Sequence, residues 1–174
     1  MNVKKMIFPV LSLFLICLTV SVLLALTNDL TADKIAQQEA DALRESMQSV
    51  IPDADSFSES NTEGIYAAYK SGKNIGWAIK VTVKGYGGDM TVLVGIGNDD
   101  VIKGVSILSH SETPGMGAKA DDDDYLSQYT GKNAETLTLG ADIDAVTGAT
   151  VTSSALIGAV NEAIEIYDTV KVGE

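Results

Sequence analysis

The sequence predicts an α+β fold: one transmembrane helix, then a single domain with a mainly antiparallel sheet and flanking helices. Three observations carry this expectation. An uncharged run extends from Met6 to Leu26, short segments of period-2 alternation fill the middle of the chain, and an apolar stripe at helical spacing closes it.

The uncharged run comes first. Its 21 residues, at the rise of an α-helix, span about the 30 Å of a hydrocarbon core. A cleaved signal peptide has an apolar region of about 7 to 15 residues that ends in small side chains, whereas Leu24-Ala25-Leu26 closes this one. A lipoprotein would need a small residue before Cys17, and Ile16 stands there. Lys4 and Lys5 precede the span, while Asn28 and Asp29 follow it. The positive-inside rule therefore leaves residues 1–5 in the cytoplasm, makes 6–26 a single pass through the cell membrane, and places the remainder outside.

Residues 27–52 come next as a juxtamembrane helix: Ile35, Leu43 and Met47 recur at near-helical spacing among charged neighbours, and Pro52 ends the pattern. The domain itself is expected over 53–174. It opens with a loop from Asp53 to Glu63, which is small, polar and acidic. Ile75, Trp77, Ile79, Val81 and Val83 then alternate with smaller or polar residues as a half-buried strand does, and Gly64 to Lys70 pairs with it across Ser71-Gly72-Lys73-Asn74. Turns at Gly85–Asp89 and Asn98–Asp100 separate the further strands Met90–Gly97 and Val101–Leu108, so a four-stranded meander is expected. A loop from Ser109 to Lys119, a short helix from Asp124 to Tyr129 and a strand from Glu135 to Leu139 continue the chain. In the last element Leu156, Val160, Ile164, Tyr167 and Val170 line one helix face, with Thr152 or Ser153 as N-cap.

Composition narrows the function. The chain has 174 residues, 12 of them basic and 24 acidic; only Lys4 and Lys5 precede the span, so everything after Leu26 is strongly negative. That argues against nucleic acid and against anionic lipid headgroups as partners. Cys17 is the only cysteine and His110 the only histidine, which leaves disulfides, cysteine-ligated metals and most hydrolytic triads without material; no metal site is expected. The acidic run Asp121 to Asp124 is read as a solvated loop, because carboxylates adjacent in sequence do not converge on one calcium ion.

Two segments carry the chemistry. Asp144-Ala145-Val146-Thr147-Gly148-Ala149-Thr150, with Val151-Thr152-Ser153-Ser154 behind it, brings a glycine-containing turn and several hydroxyls to a helix N-terminus, where backbone N–H groups and the helix dipole favour a phosphate. On these grounds alone the hydroxyls read as ordinary caps rather than as an anion site. Glu112-Thr113-Pro114-Gly115-Met116-Gly117 joins one fixed φ to two permissive glycines, so a flat ring can approach the main chain; by itself it also reads as a plain turn.

The first segment resembles the D-x-x-(S/T)-G-A-T flavinylation motif shared by Rnf G subunits, NqrC subunits of sodium-pumping quinone reductases and related FMN-binding domains. The second resembles the E-T-P-G-(L/M)-G loop of the same family. Gly85-Tyr86-Gly87-Gly88 and Asn28 are similar to the family as well, so the resemblance spans the anchor and the whole domain. It implies that a flavin transferase moves the FMN part of FAD onto Thr150 as a phosphoester. Asp144, Thr147, Gly148 and Ala149 then hold the attachment turn, and Glu112, Thr113, Gly115, Met116 and Gly117 lie against the flavin. The short chain looks more like an Rnf G subunit than an NqrC. That resemblance implies an electron-carrying protein with no substrate turnover of its own. Its partners would be other Rnf membrane subunits with flavin or iron–sulfur centres, passing electrons from ferredoxin to NAD and driving Na+ or H+ export. A stand-alone extracytoplasmic flavoprotein, an NqrC-like subunit and a cofactor-free assembly protein are the alternatives. His110 is read as a surface residue, with donation to the isoalloxazine as the other reading.

Overall fold

The computed structural model describes residues 3–115 and 117–172. Its elements are α1 (Val3–Val50), β1 (Ser56–Glu59), β2 (Ile65–Lys70), β3 (Lys73–Lys84), β4 (Asp89–Gly97), β5 (Ile102–Ser109), a 3-10 turn (Gly117–Asp121), α2 (Asp123–Leu126), a second 3-10 turn (Ser127–Tyr129) and α3 (Thr150–Val172). The chain divides into two compact units, Met1–Asp41 and Ala42–Glu174. The first is helical and includes Phe8–Ala32, long and apolar enough to cross a membrane. The expected anchor and juxtamembrane helices are one continuous element: nothing between Leu26 and Thr31 breaks the helix, and Thr27 and Thr31 turn their hydroxyls back onto the carbonyls of Leu23 and Thr27.

In the second unit the sheet is an antiparallel meander in the order β1-β2-β3-β4-β5. The fold class is therefore α+β, as expected, with one more strand in the meander than the four expected. β1 falls in the segment expected to be a loop. It is an edge strand of four residues whose register on β2 is carried by main-chain bonds, with Phe57 half-buried as its one apolar contact.

Alternation on the strands sorts side chains to two faces. Trp77, Ile79, Val81, Met90, Val92, Val94 and Ile96 meet α3 through Leu156, Val160, Ile164 and Tyr167, all buried. Each of these large side chains contributes about 1.5–3 kcal/mol on burial, which is why the stripe on α3 outweighs its β-branched and glycine residues. On the opposite face Ala68, Ala78 and Leu93 pack under Met47 and Val50, the last turns of α1, with Ile51 and Ala54. Small residues are required there: a Cβ on Gly95 would stand 2.4 Å from the Val50 carbonyl oxygen, and one on its ladder partner Gly104 would stand 2.9 Å from the Val50 Cα.

The expected strand Glu135–Leu139 does not form. Asn161, on α3, donates through Nδ2 to the Leu137 carbonyl (2.9 Å) and accepts the Leu137 N–H on Oδ1 (2.8 Å). One side chain thus satisfies the backbone groups that a neighbouring strand would have taken. Only isolated bridges, Val101 with Asn133 and Leu139 with Ile143, remain on either side among the described residues.

Candidate functional site

The turn Val146-Thr147-Gly148-Ala149 closes with the Ala149 N–H donating to the Val146 carbonyl at 2.9 Å, and Gly148 has φ +83°. A left-handed third residue is the signature of a type II turn, and glycine supplies it without steric cost. α3 starts immediately after, at Thr150. The Ser153 N–H donates to the Ala149 carbonyl (2.9 Å), the i to i−4 bond with which the helix opens. The amides of Thr150, Val151 and Thr152 are therefore the ones a helix start leaves without an intrahelical acceptor.

Thr152 and Ser153 do not cap the helix. Both lie inside its first turns and are buried, at 1% and 0% exposure. Ser153 Oγ accepts the Val146 N–H (3.0 Å) and donates to the Ala149 carbonyl (3.1 Å), locking the turn to the helix. Thr152 Oγ1 donates to Oε2 of Glu112 at 2.7 Å. Thr150, by contrast, is exposed, and its hydroxyl has no hydrogen bond among the described residues.

Glu112 is the hub. Only 6% exposed, it accepts the Tyr86 N–H (2.7 Å) and the Gly87 N–H (3.2 Å) on Oε1, and Thr152 on Oε2. Burial pushes its pKa up, but the donors Thr152, Gly87 and Tyr86 together with the nearby His110 outweigh that, and the carboxyl sits below its ordinary value. A single carboxylate so ties the β3–β4 turn, the loop after β5 and the first turn of α3 together. The glycines around it serve that closure. A Cβ on Gly85 would meet Glu112 Oε1 at 2.2 Å, and one on Gly117 would meet Oε2 at 2.4 Å. Gly115 differs: its φ is +80° and, among the described residues other than its chain neighbours, an added Cβ would touch nothing within 4 Å, so conformation rather than space demands glycine there.

These segments surround a cavity of about 380 Å³, lined by Tyr86, Glu112, Thr113, Gly117, Gly148, Ala149, Thr150, Val151 and Thr152. Of the expected site residues it gathers Glu112, Thr113, Gly117, Gly148, Ala149 and Thr150. Asp144 and Thr147 are outside the lining, the amide of Asp144 donating to Gln128 Oε1 (2.9 Å). Gly115 is also outside it, and Met116 lies outside the described residues. Three lining residues are not among the expected site residues: Tyr86 and Val151, respectively 73% and 57% exposed, and the buried Thr152, expected only as a cap. The signal for Tyr86 is its place within Gly85-Tyr86-Gly87-Gly88, and that for Val151 its place next to Thr150. His110 is neither fully exposed nor a donor through Nδ1, which accepts the backbone N–H of Glu112.

Residues 85–165 match the model of the FMN-binding domain, and residues 1–50 match that of the RnfG N-terminal region. Every cavity residue, from Tyr86 to Thr152, falls inside the first match. The chain is 35% identical to the G subunit of the proton-translocating ferredoxin:NAD(+) oxidoreductase complex of Clostridium ljungdahlii, over 94% of this chain and 92% of that one. It is 34% identical to the G subunit of the Na(+)-translocating ferredoxin:NAD(+) oxidoreductase complex of Acetobacterium woodii, with the same coverage of 94% and 92%. With the G subunit of the ion-translocating oxidoreductase complex of Aliivibrio fischeri it shares 32% identity over 92% and 88%. Among solved structures, NqrC of Shewanella oneidensis is similar in fold, with a TM-score of 0.54, 22% identity and 74% of each chain covered. With the N-terminal region and residues 85–165 each matched and the alignments running nearly end to end, the chain belongs to the family of G subunits of ion-translocating ferredoxin:NAD(+) oxidoreductase complexes, and carries an FMN-binding domain over residues 85–165.

Proposed function

We propose that this chain is the flavin-carrying G subunit of a membrane-bound ferredoxin:NAD oxidoreductase of the Rnf type, with FMN esterified through its phosphate to the hydroxyl of Thr150. The observation that carries the reading is the position of Thr150: exposed, in the cavity wall, at the first residue of α3. Thr152 and Ser153 bury their hydroxyls in bonds to Glu112 and to the Val146–Ala149 turn, while Thr150 presents its own on the cavity wall.

The residues suit the group. The open amides at the start of α3 and the helix dipole favour a phosphate at that point. The cavity, at about 380 Å³, lies within the range of roughly 300–1,000 Å³ usual for small-molecule sites, and the exposed ring of Tyr86 and methyls of Val151 offer apolar surface to a flat heterocycle. Glu112 spends both oxygens on protein donors, so its carboxylate is committed to the cavity walls rather than to a ligand. When bound, FMN supplies one- and two-electron transfer, while the protein's part is attachment, orientation and electrostatic tuning. Covalent attachment retains the flavin on a domain outside the cytoplasm, where a dissociated one would be lost. Its partners are the other membrane subunits of the complex, carrying flavin or iron–sulfur centres, and a flavin transferase during maturation. Residues 1–5 are cytoplasmic, 6–26 form the span, and the domain from 53 onward is extracytoplasmic. Electron flow from ferredoxin to NAD through such an assembly drives Na+ or H+ export.

Thr150→Val keeps the branched shape and removes the atom that can form the ester. Expressed with a flavin transferase, it should insert and fold yet show no flavin fluorescence in a denaturing gel. Persistent fluorescence, or an FMN mass mapped to another residue, would defeat the assignment.

A further inference from the structure

The one histidine of the chain has no part in the attachment of FMN at Thr150, yet it holds the loop that carries Glu112. His110 follows β5 with 23% of its side chain exposed. Its Nδ1 accepts the Glu112 backbone N–H at 3.1 Å. A ring nitrogen that accepts carries no proton, so in the neutral imidazole the proton sits on Nε2. That nitrogen stands 3.8 Å from Oδ2 of Asp121, at the end of the 3-10 turn Gly117–Asp121. Among the described residues, the carboxylates of Asp121 and Glu112 interact with the ring's charge, and Asp122 and Asp123 add negative charge beside Asp121. Burial raises the pKa of Asp121, the nearby His110 lowers it, and Asp122 and Asp123 raise it further, for a net rise.

The ring therefore has two bonding states that exclude each other. Neutral, it accepts the Glu112 amide and fixes the main chain at the root of the loop. Protonated, it has a proton on Nδ1 as well, cannot accept that amide, and is drawn to the carboxylate of Asp121. We propose that His110 is a positioning residue for the Glu112 loop, holding it in the neutral Nε2–H form and releasing it on protonation, so that the cavity wall responds to pH. The effect on a bound flavin rests on the Thr150 reading; the bonding exchange does not.

Because His110 is the only histidine, selective 15N-histidine labelling of the full-length protein in detergent reads a single imidazole. In the neutral ring the expected spectrum has a pyridine-type Nδ1 and a pyrrole-type Nε2. The protection factor of the Glu112 amide against hydrogen exchange should be lost as the ring titrates. His110→Asn puts an amide oxygen where Nδ1 stood and cannot titrate, so it should keep Glu112 protected across the same range; His110→Ala should lose protection at every pH. A pyrrole-type Nδ1 in the neutral ring, or a Glu112 amide whose protection does not change between the neutral and the protonated ring, would overturn the proposal. These readouts need no flavin, so they fail or succeed separately from the attachment at Thr150, which peptide mapping decides.

Discussion

The hydroxyl of Thr152 donates to the buried carboxylate of Glu112 across 2.7 Å, joining residues 40 apart in the chain. The bond couples the start of α3, two residues past Thr150, to the loop after β5, and through the Tyr86 and Gly87 amides to the β3–β4 turn. The three walls of the cavity consequently share one charge.

That sharing sets a pH dependence. Glu112 is held below its ordinary pKa: burial opposes this, and the bonds from Thr152, Gly87 and Tyr86 together with His110 overcome it. A carboxyl lowered in the folded state stabilises above the ordinary carboxylate range and loses that stabilisation as pH falls through the folded value. The melting temperature of the wild type should therefore fall more steeply in acid than that of Glu112→Gln, which cannot titrate. At neutral pH Glu112→Ala strands three donors and should cost about 2–4 kcal/mol, with Glu112→Gln costing less. Parallel acid profiles for wild type and Glu112→Gln would show that this carboxyl does not set the acid limb.

Gly115 separates conformation from contact. With φ at +80° and, among the described residues, no atom beyond its chain neighbours within 4 Å of an added Cβ, substitution there meets backbone strain first. Gly115→Val should lower stability by about 1–2 kcal/mol, and Gly115→Asn, which tolerates the left-handed region, by clearly less. Thermal melts of the two variants check this order. The valine variant should also shift the absorption or potential of a loaded flavin, and an unchanged spectrum and potential would reduce the loop to a turn.

Lys4 and Lys5 before the apolar span set the expected topology. Protease added to intact spheroplasts should digest the domain and leave a small membrane-bound fragment. Full protection until the cells are lysed would reverse the assigned direction.

Legibility in the sequence depends on whether the cause of a feature lies within one element. The strands β2 to β5 and the stripe Leu156, Val160, Ile164, Tyr167 are visible because periodicity is a property of a local segment. β1 escapes because Ser-Phe-Ser-Glu has a single apolar side chain and its order comes from β2. Glu135 to Leu139 alternates as a strand does, yet Asn161 takes the pairing of Leu137 from 24 residues away. The site divides the same way. The turn ending at Thr150 is local, and its glycine is demanded by a φ the motif itself implies. Thr152 reads as a cap because a hydroxyl at a helix start normally is one; its bond to Glu112 is a tertiary fact that no window around Thr152 contains.

The seat of the α1 end on the sheet has a consequence for how this joint tolerates change. Where Gly95 and Gly104 face Val50, main chain rests on main chain. An interface of side chains can absorb a new methyl by trimming a neighbour, and two substitutions can compensate each other. Here the side chain of Ile51 could be trimmed beside Gly95, but the nearest atom to each added Cβ belongs to the Val50 main chain. Exchanging side chains does not move that atom, so room for a larger residue at either glycine opens only if the helix end itself moves.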